Sequence, residues 1–374
     1  MKLFANQSPT TKPDYFFLGS FSVLVLLGLI ILSSAGTAIG LQKFNDSYHF
    51  VKHQFFYGFL PGIFLFLLCY KINYHFWKKL MIPSLFFSIF LLLLVFIPGI
   101  GAEFGTAKSW IHIFGFSFQP AEIVKLSFLV YLSAWLEKRG QTGVKDLYYG
   151  FLPFVFLLGL ISILMLLQPD MGTLSVIIFM CLAVFFYSGA RFKHVFFLLC
   201  AGVASIYLMI IKSPYRAARL TTFLHPELDP QGIGYHINQA FLAIGSGGII
   251  GLGFGHSRQK HLYLPEVTGD SIFAIFAEEM GFIFSTLLIL LFIFFIYKGL
   301  KIAQKAPDLF GKLLATGIIS WIGFQTFFNI SSMVGLSPMT GIPLPFISYG
   351  GTALAILMGA CGIIGNISKN TEKI

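Results

Sequence analysis

Apolar residues run along this chain in blocks about as long as a bilayer is thick, separated by short polar breaks. Ten such blocks fall at 15–39, 53–70, 77–97, 119–136, 147–167, 172–188, 192–211, 271–297, 312–336 and 346–366. Most come near the roughly 20 residues that carry a helix across the hydrocarbon. Lipid offers no partner to a backbone N–H or C=O, so each block is expected to be a helix that satisfies its own. The pattern predicts an all-α polytopic membrane protein with about ten transmembrane helices, one integral membrane domain over 1–374. Blocks five and six are parted only by Gln168-Pro169-Asp170. One interval breaks the pattern. Residues 212–270 hold Arg216, Arg219, Arg258, Lys260, Glu227, Asp229, Glu266, Asp270 and four histidines, and read as one large loop between helices seven and eight.

Composition agrees, with 56% hydrophobic and 11% charged residues against about 25% charged in soluble domains. Lysine and arginine placement orients the chain. With the N-terminus inside, sixteen of the 25 basic residues lie inside, eight lie outside and Lys125 sits within a block. Five of the outer eight are Lys212, Arg216, Arg219, Arg258 and Lys260, all in the long loop. Both termini are therefore expected in the cytoplasm and the loop outside. The net charge of +10 reflects this bias and suits anionic membrane lipid. No basic run with interleaved aromatics indicates nucleic acid. The first block, about 25 residues long, exceeds a signal-peptide core and reads as a signal anchor. Cys69, Cys181, Cys200 and Cys361 lie in or at the ends of blocks, so neither a disulfide framework nor a zinc spacing is indicated.

Several motifs carry chemistry. In Gln119-Pro120-Ala121-Glu122-Ile123-Val124-Lys125 the proline suits a first helical turn. Glu122 and Lys125 then share one face, either as a packing ion pair or at an active cavity. Asp170, after Gln168-Pro169, reads first as a helix cap and second as a cavity residue. Arg216, Arg219, Arg258 and Lys260 form a cationic set. Singly each is an ordinary solvated charge; together they suit the phosphates of a lipid head group. The glycine run 245–255 has neither the Gly-Lys-Ser/Thr of a phosphate loop nor the setting of a dinucleotide fingerprint. Its glycines allow close backbone approach, to a neighbouring element or to a ligand. Asp270 stands at the mouth of the eighth block, as a helix cap or as a reactive carboxylate. Glu278 would lie about 12 Å deeper, and Glu279 on the opposite face. The segment 338–351, with three prolines and three glycines, reads as a rigid re-entrant element lining a site. Glu266, Glu278, Asp170 and Ser348 are further candidates for that lining.

In this order the pieces resemble the SEDS family of bacterial cell-wall polymerases, which includes FtsW, SpoVE and RodA. The resemblance covers nearly the whole chain. It rests on Phe118-Gln119-Pro120-Ala121-Glu122 with Lys125, Gln168-Pro169-Asp170-Met171-Gly172-Thr173 and Ala243-Ile244-Gly245-Ser246-Gly247-Gly248. Ser257-Arg258-Gln259-Lys260, Leu264-Pro265-Glu266, Ala277-Glu278-Glu279 and 341–351 continue it. Ser257-Arg258-Gln259-Lys260 followed by Tyr263-Leu264-Pro265-Glu266 resembles the FtsW/SpoVE branch more than RodA. Where the family commonly has His-Thr-Asp-Phe, this chain has Thr268-Gly269-Asp270-Ser271; the aspartate is kept and the histidine is missing.

The resemblance implies a peptidoglycan glycosyltransferase in the bacterial cytoplasmic (inner) membrane. It would polymerise lipid II onto an undecaprenyl-linked glycan on the outer face, paired with a class B penicillin-binding transpeptidase. By position, the family's essential external aspartate falls on Asp270 and its polar membrane pair on Glu122 and Lys125. Asp270 is then the expected general base, with Arg216, Arg219, Arg258 and Lys260 neutralising the departing pyrophosphate. A divalent cation (Mg or Mn) would suit that pyrophosphate, although the sequence holds no ligand cluster. The rivals are a lipid II flippase, which intramembrane charges would suit, and a scaffold that only recruits the transpeptidase.

Overall fold

Capping residues and prolines mark where apolar blocks become helices. Asp14, Asp170 and Asp308 each accept a bond from the N–H three residues on, those of Phe17, Thr173 and Gly311, which satisfies donors that a helix start leaves open. The computed structural model describes residues 12–99, 101–104, 107–113, 116–211, 214–225 and 232–371. Its helices are α1 (Tyr15–Ala35), α2 (Thr37–Phe44), α3 (His49–Lys71), α4 (His75–Lys79), α5 (Met81–Leu94), α6 (Pro120–Lys145) and α7 (Leu147–Leu167). They continue as α8 (Met171–Tyr187), α9 (Phe192–Ile211), α10 (Pro214–Leu224), α11 (Ile233–Gly247), α12 (Ile272–Lys305), α13 (Leu309–Met333) and α14 (Gly351–Ser368).

Among the described residues six helices are long and apolar enough to cross a membrane: α1, α3, α7, α12, α13 and α14. The apolar helices α5 and α8, and the first part of α9, are shorter. Large apolar side chains such as Phe64, Phe86, Phe156 and Phe192 remain exposed on these helices, as they do where the solvent is lipid. Helices meet through small residues. On α3 and α14 a Cβ at Gly62 would come within 2.4 Å of Met358 Sδ, and one at Gly362 within 2.5 Å of Phe66 O. Such close approach is the packing available to helices without a hydrophobic driving force.

The expected all-α class needs correction. Between α5 and α6 lies a three-stranded antiparallel sheet, β1 (Gly101–Phe104), β2 (Ala107–Ile113) and β3 (Phe116–Phe118), in the order β1-β2-β3. Ile111 of β2 pairs with Gly101 on one side and Phe118 on the other. The cue is period-two alternation: Ser109 and Ile111 are buried, Trp110 is half-buried and His112 is exposed. The segment is too short and polar to register as an apolar block. The last block is also trimmed, because its helix begins at Gly351 and not at Phe346.

Polar contacts separate the two ends of the bundle. At one end Asp14 N–H bonds Ser368 Oγ, Lys298 pairs with Asp14, Lys78 pairs with Glu137, and Asn366 joins Tyr70 and Tyr74. At the opposite end Ser34 bonds Glu279, Gln54 bonds Ser348 O and Gly350 N–H, and Gln119 bonds Asp170. The described chain thus begins and ends at one end, and the motifs gather at the other.

The first end is clamped by Asp308. It accepts from Gly311 N–H at 2.7 Å, from His75 Nε2 at 2.9 Å and from the Tyr74 hydroxyl. Burial pushes its carboxyl up, but the bonds from His75, Gly311 and Tyr74 outweigh burial and hold it down to about 2. A carboxylate lowered in the folded state contributes stability above its unfolded value and loses it as pH falls through the folded one. Thermal unfolding in detergent should therefore show wild type more stable than Asp308→Asn at about pH 5, with the gap closing between about pH 4 and about pH 2.

Candidate functional site

Helix α12 is broken at Gly281, whose φ of 73° and ψ of −174° leave the helix. The break exchanges bonds instead of losing them. Phe282 and Ile283 N–H would have reached the Glu278 and Glu279 carbonyls; they bond Gly248 O and Ile249 O at 2.9 and 3.2 Å. The freed Glu278 and Glu279 carbonyls accept from Leu252 and Gly253 N–H at 3.0 and 2.9 Å. The two backbones approach so closely that a Cβ on Gly251 would sit 2.2 Å from Glu279 O, and one on Gly281 2.2 Å from Gly251 N. This accounts for the glycine run 245–255: it packs against a broken helix.

Beside the break, two consecutive buried carboxylates hold the loop that follows. Glu278 accepts from Arg258 N–H at 3.0 Å, from Gln259 N–H at 3.3 Å and from the Ser257 hydroxyl. Glu279 accepts from Ser34 Oγ at 2.7 Å and Ser257 N–H at 3.3 Å, and pairs with Lys260 Nζ at 2.9 Å. Lys260 also donates to Gly255 O and is only 3% exposed. It therefore does not belong to an exposed cationic set; its ammonium neutralises Glu279. Glu278 holds backbone and does not line an open cavity. Arg258, by contrast, is exposed and borders a cavity of about 650 Å³ with His256, His261, Gln259 and Tyr263.

The loop ends in the turn that carries Asp270. Glu266 adopts a φ of 50° and is exposed, and its carbonyl accepts from Gly269 and Ser271 N–H. Three consecutive carbonyls of the turn are then fixed by three donors, two of them from the adjacent residues Ser348 and Tyr349. Thr268 O accepts from Tyr349 N–H at 2.8 Å, Gly269 O from Ser348 Oγ at 2.6 Å and Asp270 O from Asn329 Nδ2 at 2.8 Å. Asp270 is half-buried and is not the cap of α12, a position taken by Ser271.

The segment between α13 and α14 that supplies Ser348 and Tyr349 is non-helical, and side-chain amides satisfy it. Asn329 also donates to Ile342 O, Gln325 donates to Pro343 O, and Gln54 bonds Ser348 O and Gly350 N–H. Ser348 accepts from Leu344 N–H. Gln325 in turn accepts from Lys125 Nζ at 3.2 Å and from Trp321 Nε1 at 2.7 Å. Lys125 pairs with Glu122 at 2.7 Å, both nearly inaccessible, and lies over the Trp321 ring. The buried ion pair is thereby joined through Gln325 to the segment that holds the Asp270 turn. Asp170 caps α8 and accepts from Gln119 Nε2 at 2.7 Å.

Arg216 and Arg219 lie on α10, their side chains outside the described residues, as are Lys212, Glu227 and Asp229 altogether. Among the described residues no three His, Cys, Asp or Glu side chains converge as metal ligands. Residues that sequence reasoning passed over are Gln54, Gln325, Asn329, Ser34 and His236. The three amides had a readable signal, since polar side chains inside apolar blocks are costly unless they are used.

Two outcomes follow from this packing. Gly251→Ala, strained at a φ of 82° and colliding with Glu279 O, should lower the thermal midpoint in detergent sharply, whereas Gly245→Ala, with nothing within 4 Å, should not. Lys260→Met should cost about 3–5 kcal/mol by leaving Glu279 buried and unpaired; full stability in denaturant titration would show that the pair holds nothing.

The Cell cycle protein family of FtsW, RodA and SpoVE matches residues 15–373. Stage V sporulation protein E of Bacillus subtilis (strain 168) is 38% identical over 359 residues, covering 96% of this chain and 98% of that protein. The probable peptidoglycan glycosyltransferase FtsW of Geobacter sulfurreducens (strain DL-1 / KN400) is 35% identical over 372 residues, 100% and 99% of the two chains. Among solved structures, a chain of a peptidoglycan synthase complex described as coordinating polymerization and crosslinking superposes with a TM-score of 0.79 at 24% identity, covering 97% of this chain and 99% of that one. Rod shape determining protein RodA of Thermus thermophilus gives 0.71 at 25% identity, covering 97% and 98%. This chain belongs to the FtsW, RodA and SpoVE family of cell cycle proteins.

Proposed function

We propose that this chain is a peptidoglycan glycosyltransferase that polymerises lipid II into glycan strands and releases undecaprenyl pyrophosphate, in cell division or shape maintenance. The names of its relatives support the activity. The observation that carries the site is the Asp270 turn, with the carbonyls of Thr268, Gly269 and Asp270 bonded to three separate groups. A carboxylate on so fixed a turn is pre-organised, as a positioned base must be.

In this reading the work takes place on the outer face of the cytoplasmic membrane, with both termini in the cytoplasm. The lysine and arginine count supports that orientation, as does the placing of Asp14 and Ser368 at the end away from Asp270. The donor is a glycan on undecaprenyl pyrophosphate and the acceptor is lipid II. Asp270 takes the proton of the acceptor hydroxyl as its oxygen bonds the donor anomeric carbon. The bond from that carbon to the pyrophosphate oxygen breaks, and the electron pair leaves with the lipid pyrophosphate. One base and a good leaving group suffice for inversion.

Arg258, with Arg216 and Arg219, is assigned to the departing charge, while Lys260 acts through the shape of the loop. Glu122 and Lys125 are assigned a positioning role through Gln325. The crosslinking partner is a class B penicillin-binding transpeptidase, by analogy with the synthase complex that the fold resembles.

The test is polymerisation of lipid II by the purified protein with its transpeptidase partner, read as gel-resolved glycan. Asp270→Asn should lower the rate by about 10²–10⁴-fold with an unchanged melting profile. Full activity in that variant sinks the base assignment. Passage of lipid II across vesicles without polymer would favour transport.

A further inference from the structure

The serine that opens α12 does not cap it. Ser271 occupies the N-cap position, yet its side chain makes no bond to the helix's own first-turn N–H groups. Its carbonyl plays the ordinary part, accepting from Ala274 N–H at 3.0 Å. Its hydroxyl is fully buried and meets His236 Nε2 at 2.6 Å. Capping is what serine is preferred for at this position, so the diverted hydroxyl is a departure with a definite recipient.

The recipient is well anchored. His236 lies on α11, which packs along α12. Its neighbours Ile237 and Ala240 are buried. At the far end of α11 a Cβ on Gly247 would lie 2.1 Å from Ala277 O, so the two helices cannot slide apart without losing that fit. Ser271 directly follows Asp270. The reactive turn is therefore gripped on both sides: Asn329 and Ser348 hold the carbonyls of Asp270 and Gly269, and His236 holds the side chain of the next residue.

We propose that His236 is a positioning residue for glycosyl transfer. Through Ser271 it fixes the first turn of α12 and so sets the direction in which the Asp270 carboxylate meets the acceptor hydroxyl. This rests on the reading of Asp270 as the base. The motif histidine that would stand at Thr268 is absent, and the imidazole at this turn comes from a different helix.

The experiment uses the full chain with its transpeptidase partner, lipid II as substrate and steady-state kinetics beside thermal unfolding. His236→Ala and Ser271→Ala should each lower kcat by about tenfold or more with KM within about twofold. The double variant should be no slower than either single, because both remove one contact. His236→Gln, which keeps a side-chain hydrogen-bonding group near the same reach, should restore most of the rate. The proposal falls if the two single losses multiply. It also falls if His236→Gln is as slow as His236→Ala, or if the loss only tracks a fall in melting temperature. Should His236→Ala not fold, Ser271→Ala decides alone, and wild-type kcat there overturns the role. Asp270→Asn separates the two readings: if it stays active, the base assignment and the His236 role fall together. If it is dead while His236 and Ser271 variants are unaffected, only the His236 role falls.

Discussion

Non-helical backbone among membrane helices must find its hydrogen-bond partners inside the protein, and this structure is organised around meeting that demand. The segment between α13 and α14 would otherwise leave carbonyls unsatisfied at 342, 343 and 348. Three buried amides, Asn329, Gln325 and Gln54, are spent on those carbonyls. An amide has donors and an acceptor on one rigid plane, so each can bind a second element as well. Asn329 reaches on to Asp270 O, Gln325 to Lys125, and Gln54 to Gly350 N–H. Satisfying the irregular backbone and fixing the Asp270 turn are thus one set of bonds.

The same logic governs the break in α12. A positive φ at Gly281 forfeits helical bonds, and the backbone at 248–253 replaces them. The replacement works only at a separation that excludes Cβ atoms, so glycines are required on both sides. Once the strands of backbone are in place, Glu278 and Glu279 lie next to the loop they hold. Burying two carboxylates is costly without compensation; backbone N–H groups, hydroxyls and the Lys260 ammonium supply it. Rigidity at this end arises from charge compensation at a helix break, and apolar packing fills in around it.

Much of this was legible in the sequence, because a bilayer imposes block lengths that a hydropathy pattern exposes. The apolar blocks coincide with helices to within a few residues at most ends. Capping at Asp170 and pairing of Glu122 with Lys125 follow from spacing along one helix. What escaped depends on partners far away in the chain. Lys260 reads as a surface cation until Glu279 and Ser34, 19 and 226 residues distant, are brought against it. The glycine run allowed two meanings until the break at Gly281 supplied its counterpart. The small sheet was lost because its strands are short and fall between blocks. His236 gave no local signal at all; only the folded juxtaposition with Ser271 singles it out.

The carboxylates at this end divide by what they hold. Glu278 holds a loop, Glu279 an ammonium and a hydroxyl, Glu122 an ammonium, and Asp170 a helix start and an amide. The bonds of Glu278 and Glu279, and that of Asp170 to Gln119, fasten one element to another, whereas Glu122 and Lys125 share α6. Asp270 is arranged differently. The backbone carbonyls at and just before it are gripped by Tyr349, Ser348 and Asn329. In the proposal that Asp270 is the base, the main chain around the carboxylate is held by these three donors. A turn ahead of a helix offers such main-chain anchoring, whereas Glu278, within a helix, uses its carboxylate to hold a neighbouring loop.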